Sequence, residues 1–346
     1  MTTVPSLDVA ATARWVARRG PQAAIAALTD ALERDFARWP ELDKRPRIAS
    51  HSPDGVIELM PTSDTRTYGF KLVNGHPLNP ANGFQTVTAI GMLADVHNGY
   101  PTFLAEMTLL TALRTAAASA LAARYLAPAG SRTLALIGCG AQAEFQALGL
   151  RAALGIETLR VFDVDHHAME KLAGHAKALG FDVVLADDAA GAARGAEVIT
   201  TCTADKQNAT VLHDADVPDG VLINAIGGDC PGKTELDPQT VERANVFVEL
   251  AEQTRIEGEI QRQAADFPVT ELWQVVTGAA PGRQSPDDLI VWDSVGFAVE
   301  DWTTLNFVLA DVTANAPELL GQLDLIAEPA DPKDLFSLVA PPGIIR

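Results

Sequence analysis

The hexapeptide Gly138-Cys139-Gly140-Ala141-Gln142-Ala143 has the residue types and spacing of a turn that holds a pyrophosphate. Gly138 permits a tight turn, and Gly140 lets backbone N–H groups approach an anion. A helix starting at Gln142 adds unpaired donors and the positive end of its dipole. Ala143 stands where a third glycine is usual; that position serves helix–strand packing and tolerates alanine. Asp163 ends the next apolar run, where a carboxylate accepts hydrogen bonds from an adenosine ribose. A carboxylate there also repels a 2′-phosphate, so the pattern favours NAD over NADP.

A second set of residues has the chemistry of an amino-acid site. Arg47 and Arg114 carry guanidinium forks suited to a carboxylate. Lys71 stands on an alternating segment with Tyr68, Phe70 and Leu72 on the opposite face. Such a lysine is usually solvated, but held in place it is a cation for a carboxylate or a carbonyl. Glu58 interrupts the apolar run Val56–Met60, so it either faces water or is retained for a site, and periodicity alone leaves the two readings even. The stretch Gly227-Gly228-Asp229-Cys230-Pro231-Gly232-Lys233 follows the apolar run Val221–Ile226. Its glycines would let the chain pass close to a cofactor, and Asp229 and Lys233 supply an acid–base group and a cation. Read blandly, the same stretch is a glycine turn with a solvated acid.

These residues need elements to position them. Thr133–Ile137 reads as a buried strand running into the glycine turn, Gln142–Leu154 as a helix, and Thr158–Phe162 as the following strand. Alternation continues with strands near 183–185, 197–201, 221–226, 245–248 and 287–293, and with helices over 189–194, 252–262 and 299–313. This is the pattern of a parallel, doubly wound sheet. Before it, segments at 56–60, 67–73, 85–96 and 100–106 read as strands, with Asn98-Gly99 as a hairpin turn. A helix from Pro21 carries Ile25, Leu28, Leu32 and Phe36 on one face, and an alanine-rich helix over 108–126 joins the two parts. The expected fold class is α/β: a Rossmann dinucleotide-binding domain over 115–315, plus a mixed, largely antiparallel α+β domain over 1–114 and 316–346.

Composition narrows the partners. The 346 residues carry 26 basic and 45 acidic side chains, a formal charge of −19, which argues against nucleic acid or an anionic membrane as partner. Cys139, Cys202 and Cys230 are sparse, odd in number and without metal-ligand spacing, which fits a reducing cytoplasm and no metal. The N-terminus carries Arg14, Arg18 and Arg19 without the apolar core of a signal peptide, and no apolar run reaches transmembrane length.

Taken together, Arg47–Ser52, Val56–Pro61, Lys71–Pro77, Thr111–Ala116, Gly138–Gln142, Gly227–Glu235 and Gln253–Ile260 resemble the ornithine cyclodeaminase/μ-crystallin family. The likeness extends from about residue 35 to the tail segment Asp331–Phe336. The resemblance implies conversion of L-ornithine to L-proline and ammonia on a bound NAD that is regenerated in each turnover. It implies that Arg47, Lys71 and Arg114 hold the substrate carboxylate, that Glu58 is an acid near the substrate, and that Asp229 is the principal acid–base residue. Cofactor contacts are implied at Thr86, Arg114, Gly138, Gly140, Ala141, Gln142, Asp163, Thr203, Asn224, Gly227, Lys233 and Ser294, and a substrate contact at Val295. It also implies a homodimer formed through the first domain. A lysine cyclodeaminase, a ketimine reductase or an alanine dehydrogenase of the same family is the alternative, and a non-catalytic carrier is a second one.

Overall fold

A computed structural model describes residues 2–204 and 208–341. The chain opens with β1 (Val4–Leu7), α1 (Val9–Arg19) and α2 (Pro21–Ala37). Pro21 starts α2, and the stripe Ile25, Leu28, Leu32 and Phe36 is buried as its spacing requires. Then come β2 (Ile48–His51), β3 (Val56–Ser63), β4 (Thr67–Gly75), β5 (Ala89–Asp95) and β6 (Pro101–Glu106). With β17 (Gly321–Leu323) these strands form a seven-stranded sheet in the order β17-β1-β6-β5-β4-β3-β2. All its pairs are antiparallel except β1 with β6.

The alanine-rich α3 (Thr108–Leu126) leads into the second sheet and packs between α2 and α4 (Ala143–Leu154). Its small side chains permit close approach: a Cβ on Gly149 of α4 would stand 2.7 Å from the Ala116 carbonyl oxygen. Strands β7 (Thr133–Ile137), β8 (Thr158–Phe162), β9 (Asp182–Leu185), β10 (Val198–Thr201), β12 (Leu222–Ala225), β14 (Asn245–Val248), β15 (Thr270–Glu271) and β16 (Ile290–Asp293) are parallel throughout. Their order, β15-β14-β16-β12-β10-β7-β8-β9, reverses direction between β7 and β10, the switch point of a Rossmann-type sheet. A short parallel pair, β11 (Asn208–Leu212) with β13 (Thr234–Leu236), stands apart. Helices α5 (His166–Ala178), α6 (Ala189–Ala193), α7 (Pro238–Arg243), α8 (Ala251–Glu257) and α9 (Leu272–Val276) connect these strands. Leu134 and Leu136 of β7 face one apolar layer and Ala135 and Ile137 the other, so both faces of the sheet are covered. Among the described residues no helix is long and apolar enough to cross a membrane.

The last helix, α10 (Ala298–Asn315), falls inside the stretch expected to belong to the dinucleotide unit. In the structure it lies across β3, β4 and β5 and beside α2. Two glycines make room for it. A Cβ on Gly69 would stand 2.8 Å from the Trp302 ring, and one on Gly91 would stand 3.0 Å from Leu305. Gly91 is paired with Lys71 across β4 and β5, so the same close packing sets the first turn of α10 beside Lys71.

β4 also reverses the ordinary expectation for an alternating strand. Its buried face carries Gly69, Lys71 and Val73, whereas Tyr68 and Leu72 are exposed. Lys71 is 1% exposed, so its ammonium is not solvated.

Candidate active site

The glycine turn is built as its spacing predicts. Gly138 adopts φ 102°, and a Cβ there would stand 2.7 Å from the Cys202 carbonyl oxygen, because β10 runs alongside β7. A Cβ on Gly140 would meet no atom within 4 Å, so this glycine faces the open room that a pyrophosphate needs. Ala141 is exposed on the same turn, and Gln142 Oε1 beside it is buried without a hydrogen-bond partner. Asp163 accepts the Cys139 N–H at 2.6 Å and the Asp165 N–H at 2.9 Å. Those bonds brace the turn, and a carboxylate keeps further lone pairs for ribose hydroxyls. These features fit a dinucleotide.

The other wall of the crevice follows β10, β12 and β16. Thr203 donates its N–H (2.8 Å) and its hydroxyl to Glu235 Oε1. Lys233 Nζ reaches the Thr203 carbonyl at 3.1 Å and Asp229 Oδ1 at 3.3 Å, tying the two loops together. The Ser294 hydroxyl donates to buried Glu249 at 2.6 Å.

Three of the expected cofactor contacts also have partners within the protein. Gly227 and Gly228 are small for a reason internal to the protein: a Cβ on Gly227 would collide with the Glu235 carboxylate, and one on Gly228 with the Glu259 carboxylate. Both acids are buried, and burial raises both above the ordinary carboxylate range. Asn224 is 1% exposed and gives its amide to Gln146 (3.1 Å) and Thr200 (2.9 Å), joining α4 to the sheet beneath the crevice. Thr86 lies on the loop between β4 and β5, where its carbonyl accepts the His76 N–H at 2.9 Å. Among the described residues no hydrogen bond joins it to the glycine turn.

The charged side chains converge from both halves of the chain. Lys71 Nζ lies 2.8 Å from Asp301 Oδ1, and the Arg114 Nε lies 3.0 Å from the same oxygen. A second Arg114 nitrogen lies 2.9 Å from Glu300 Oε2. The guanidinium passes against Gly296, whose φ of 76° and missing Cβ leave it room. Glu300 and Asp301 occupy the first turn of α10, where its dipole favours negative charge. Arg47 donates to Glu58 at 2.9 Å and to the carbonyls of Val295 and Gly296, and its backbone N–H donates to Gln253. Its Nε lies 3.0 Å from Glu257 Oε2 at an angle that makes an ion pair but no hydrogen bond.

Burial shapes the protonation of this centre. It pushes Lys71 down to about 8, with Arg114 acting in the same direction and Asp301 opposing. It pushes Glu300 up to about 8 against the pull of Arg114, and Glu257 up to about 7 against the pull of Arg47. The centre thus holds two groups of charges. Lys71 and Arg114 gather at Asp301 and at Glu300, which burial holds toward its neutral form, while Glu58, Glu257 and Asp229 gather around Arg47 and Lys233. Asp229 is the accessible member, its side chain 52% exposed while Lys233 beside it is buried.

Sequence reading did not single out Glu257, Glu300, Asp301 or Gly296. Glu257 lies inside one of the stretches that carry the family resemblance, so a signal was present. Glu300 and Asp301 carried only a helix-start signal, because their partners, Lys71 on β4 and Arg114 on α3, lie far away in the chain.

A dinucleotide crevice at the switch point of a parallel sheet, opening beside buried lysine, arginine and carboxylate groups, defines a Rossmann-type α/β enzyme. The chain belongs to the ornithine cyclodeaminase/mu-crystallin family, whose sequence profile it matches over residues 13–315. It is 53% identical over 339 residues to the ornithine cyclodeaminase of Agrobacterium tumefaciens (strain Ach5), covering 98% of this chain and 95% of that one. Among solved structures it is similar to a lysine cyclodeaminase studied for its recognition of L-lysine, L-ornithine and L-2,4-diaminobutyric acid. That match has a TM-score of 0.90 at 34% identity and covers 96% of this chain and 98% of the other. An archaeal alanine dehydrogenase dimer with bound NAD matches with a TM-score of 0.85 at 28% identity, over 94% of this chain and all of the other.

Proposed function

We propose that this chain is an ornithine cyclodeaminase that converts L-ornithine to L-proline and ammonia with NAD held at the glycine turn. The observation that carries the reading is the pair of buried cations Lys71 and Arg114 together with an accessible acid, Asp229, all within electrostatic reach of Arg47. Identity above 50% to a cyclodeaminase over nearly the whole chain supports the same reaction.

Lys71 and Arg114 hold the α-carboxylate. Lys71 has three donors and gives one to Asp301, and Arg114 has donors beyond those on Asp301 and Glu300. Arg47 is almost fully engaged by Glu58, Val295 and Gly296, so its part is to clamp the two units around the substrate. Asp229 takes a proton from the substrate's α-ammonium on its exposed carboxylate, freeing the nitrogen lone pair, and returns protons as ammonia leaves. Lys233 keeps that carboxylate in place. Bound NAD supplies the chemistry of taking hydride from Cα and giving it back to the cyclic imine, with no net redox change. Ala141, Gln142, Asp163, Thr203 and Ser294 line its site, and the buried walls around Lys71 exclude the water that would hydrolyse an open-chain imine.

The substrate unit is assigned to 1–114 with the tail from 316, and α10 packs with it. The outer face of its sheet exposes Ile48, Ile57, Leu72 and Ile90, with Leu72 paired to Ile90. A second copy of the chain covers this face, giving a homodimer; that an alanine dehydrogenase relative is a dimer supports the assembly. The assigned compartment is the cytoplasm.

The test is incubation with L-ornithine and NAD⁺. Proline and ammonia form in equal amounts with no net NADH. A 2-keto acid with accumulating NADH overturns the assignment in favour of an amino-acid dehydrogenase.

A further inference from the structure

Arg47 is flanked by two carboxylates, Glu58 Oε2 at 2.9 Å and Glu257 Oε2 at 3.0 Å, and all three side chains are at most 7% exposed. One guanidinium neutralises only one of these acids. Glu58 Oε1 and Glu257 Oε2 are buried oxygens without a hydrogen-bond partner. Buried acceptors left in that state are costly, and a bound donor relieves the cost. Asp229 lies close enough to act electrostatically on both Arg47 and Glu257, which places a third acid in the same group. The neighbouring cations are Lys71 and Arg114, both within electrostatic reach of Arg47.

We propose that Glu257, facing Glu58 across Arg47, seats the second ammonium group of a diamino acid and so discriminates diamino from monoamino substrates. This rests on the substrate reading given above and deepens it. A molecule with a carboxylate at one end and an ammonium a few carbons away matches the polarity of the centre. Its ammonium brings up to three donors to oxygens that lack them. A monoamino acid of the same length leaves those oxygens unpaired, and binding sites reject such analogues because buried polar groups stay unsatisfied. Glu257 sits at the C-terminal end of α8, on the dinucleotide side, whereas Glu58 comes from β3 of the first sheet. The seat therefore forms only where the two halves of the chain meet.

The experiment compares L-ornithine with L-norvaline, which has the same carbon chain and lacks the δ-amine. Both are titrated calorimetrically into the NADH-loaded protein, which has no hydride acceptor, so binding is read without turnover. The wild type binds ornithine at least about tenfold more tightly than norvaline, and E257Q lowers that ratio about tenfold while the norvaline Kd stays within about twofold. A wild type that binds the two equally overturns the proposal. So does an E257Q variant that weakens both ligands alike, because Glu257 would then act only through Arg47, or one that changes neither. If E257Q melts far below the wild type, E257D supplies the same comparison, with an intermediate ratio expected and an unchanged ratio contrary. A wild type that prefers ornithine yet releases no proline leaves the seat standing and removes the cyclodeaminase assignment instead.

Discussion

Lys71 and Asp301 face each other at 2.8 Å, each 1% exposed, with one on the fourth strand of the first sheet and the other at the start of the last long helix. The same Asp301 oxygen also takes Arg114. One carboxylate therefore holds two buried cations side by side, which is the condition for presenting both to a substrate carboxylate.

Removing that acid leaves Lys71 and Arg114 buried together without their shared counter-charge. Asp301→Ala is expected to destabilise the protein by about 3–5 kcal/mol, the range seen when one partner of a buried pair is lost. Asp301→Asn, which keeps the shape, is expected to fall between the variant and the wild type. Urea denaturation of the three proteins checks the order.

Lys71 bears on the pH profile. Burial lowers its value to about 8, so the ammonium is present below that pH and lost above it. Carboxylate binding that needs the ammonium is accordingly full below about pH 8 and weakens as the pH rises beyond. The Ki of norvaline is expected to climb above pH 8 in the wild type. In Lys71→Arg, where the side chain stays charged, that limb moves upward. Coincident profiles would remove Lys71 from the carboxylate site.

Asp229 is half-exposed and paired only loosely with Lys233, so its loss should cost little stability. Asp229→Asn is expected to reduce kcat by about 10²–10⁴-fold while leaving NAD⁺ affinity and Tm nearly unchanged. Ammonia release, protein fluorescence on NAD⁺ titration and a thermal melt separate the three quantities.

The two glycines of the turn should respond differently to the same methyl group. Gly138→Ala places a Cβ against the Cys202 carbonyl at φ 102° and is expected to cost about 1–3 kcal/mol of stability. Gly140→Ala meets nothing within 4 Å and should fold normally, yet lose NAD⁺ affinity about tenfold or more, because the methyl occupies the approach of the pyrophosphate. Melting curves and NAD⁺ titrations on both variants test the contrast.

The apolar outer face of the first sheet provides a test of assembly. Leu72→Lys with Ile90→Lys puts two like charges on paired positions of neighbouring strands. The wild type is expected to sediment as a dimer and the double variant as a monomer with little change in the far-ultraviolet spectrum. A wild-type monomer would leave that face without the partner assigned to it.

Much of this architecture was legible before any coordinates. β7, β8, β14 and α3 fall where apolar runs and helical spacing put them, and the turn at Gly138 and Gly140 carries its geometry in its own residues. These features depend on φ/ψ preferences and on neighbours within a few residues, which a sequence records directly. The environment of Lys71 was not legible. Alternation showed that it opposes Tyr68 and Leu72 but not which face would meet α10, and the more apolar face proved to be the exposed one. Nor did the sequence show that Gly227 and Gly228 are small because Glu235 and Glu259 lie behind them. Glu257, Glu300 and Asp301 became site residues only through partners on distant strands and helices. A buried charge is tolerated only when a counter-charge meets it at hydrogen-bonding distance, and that meeting is a property of packed elements rather than of any one segment.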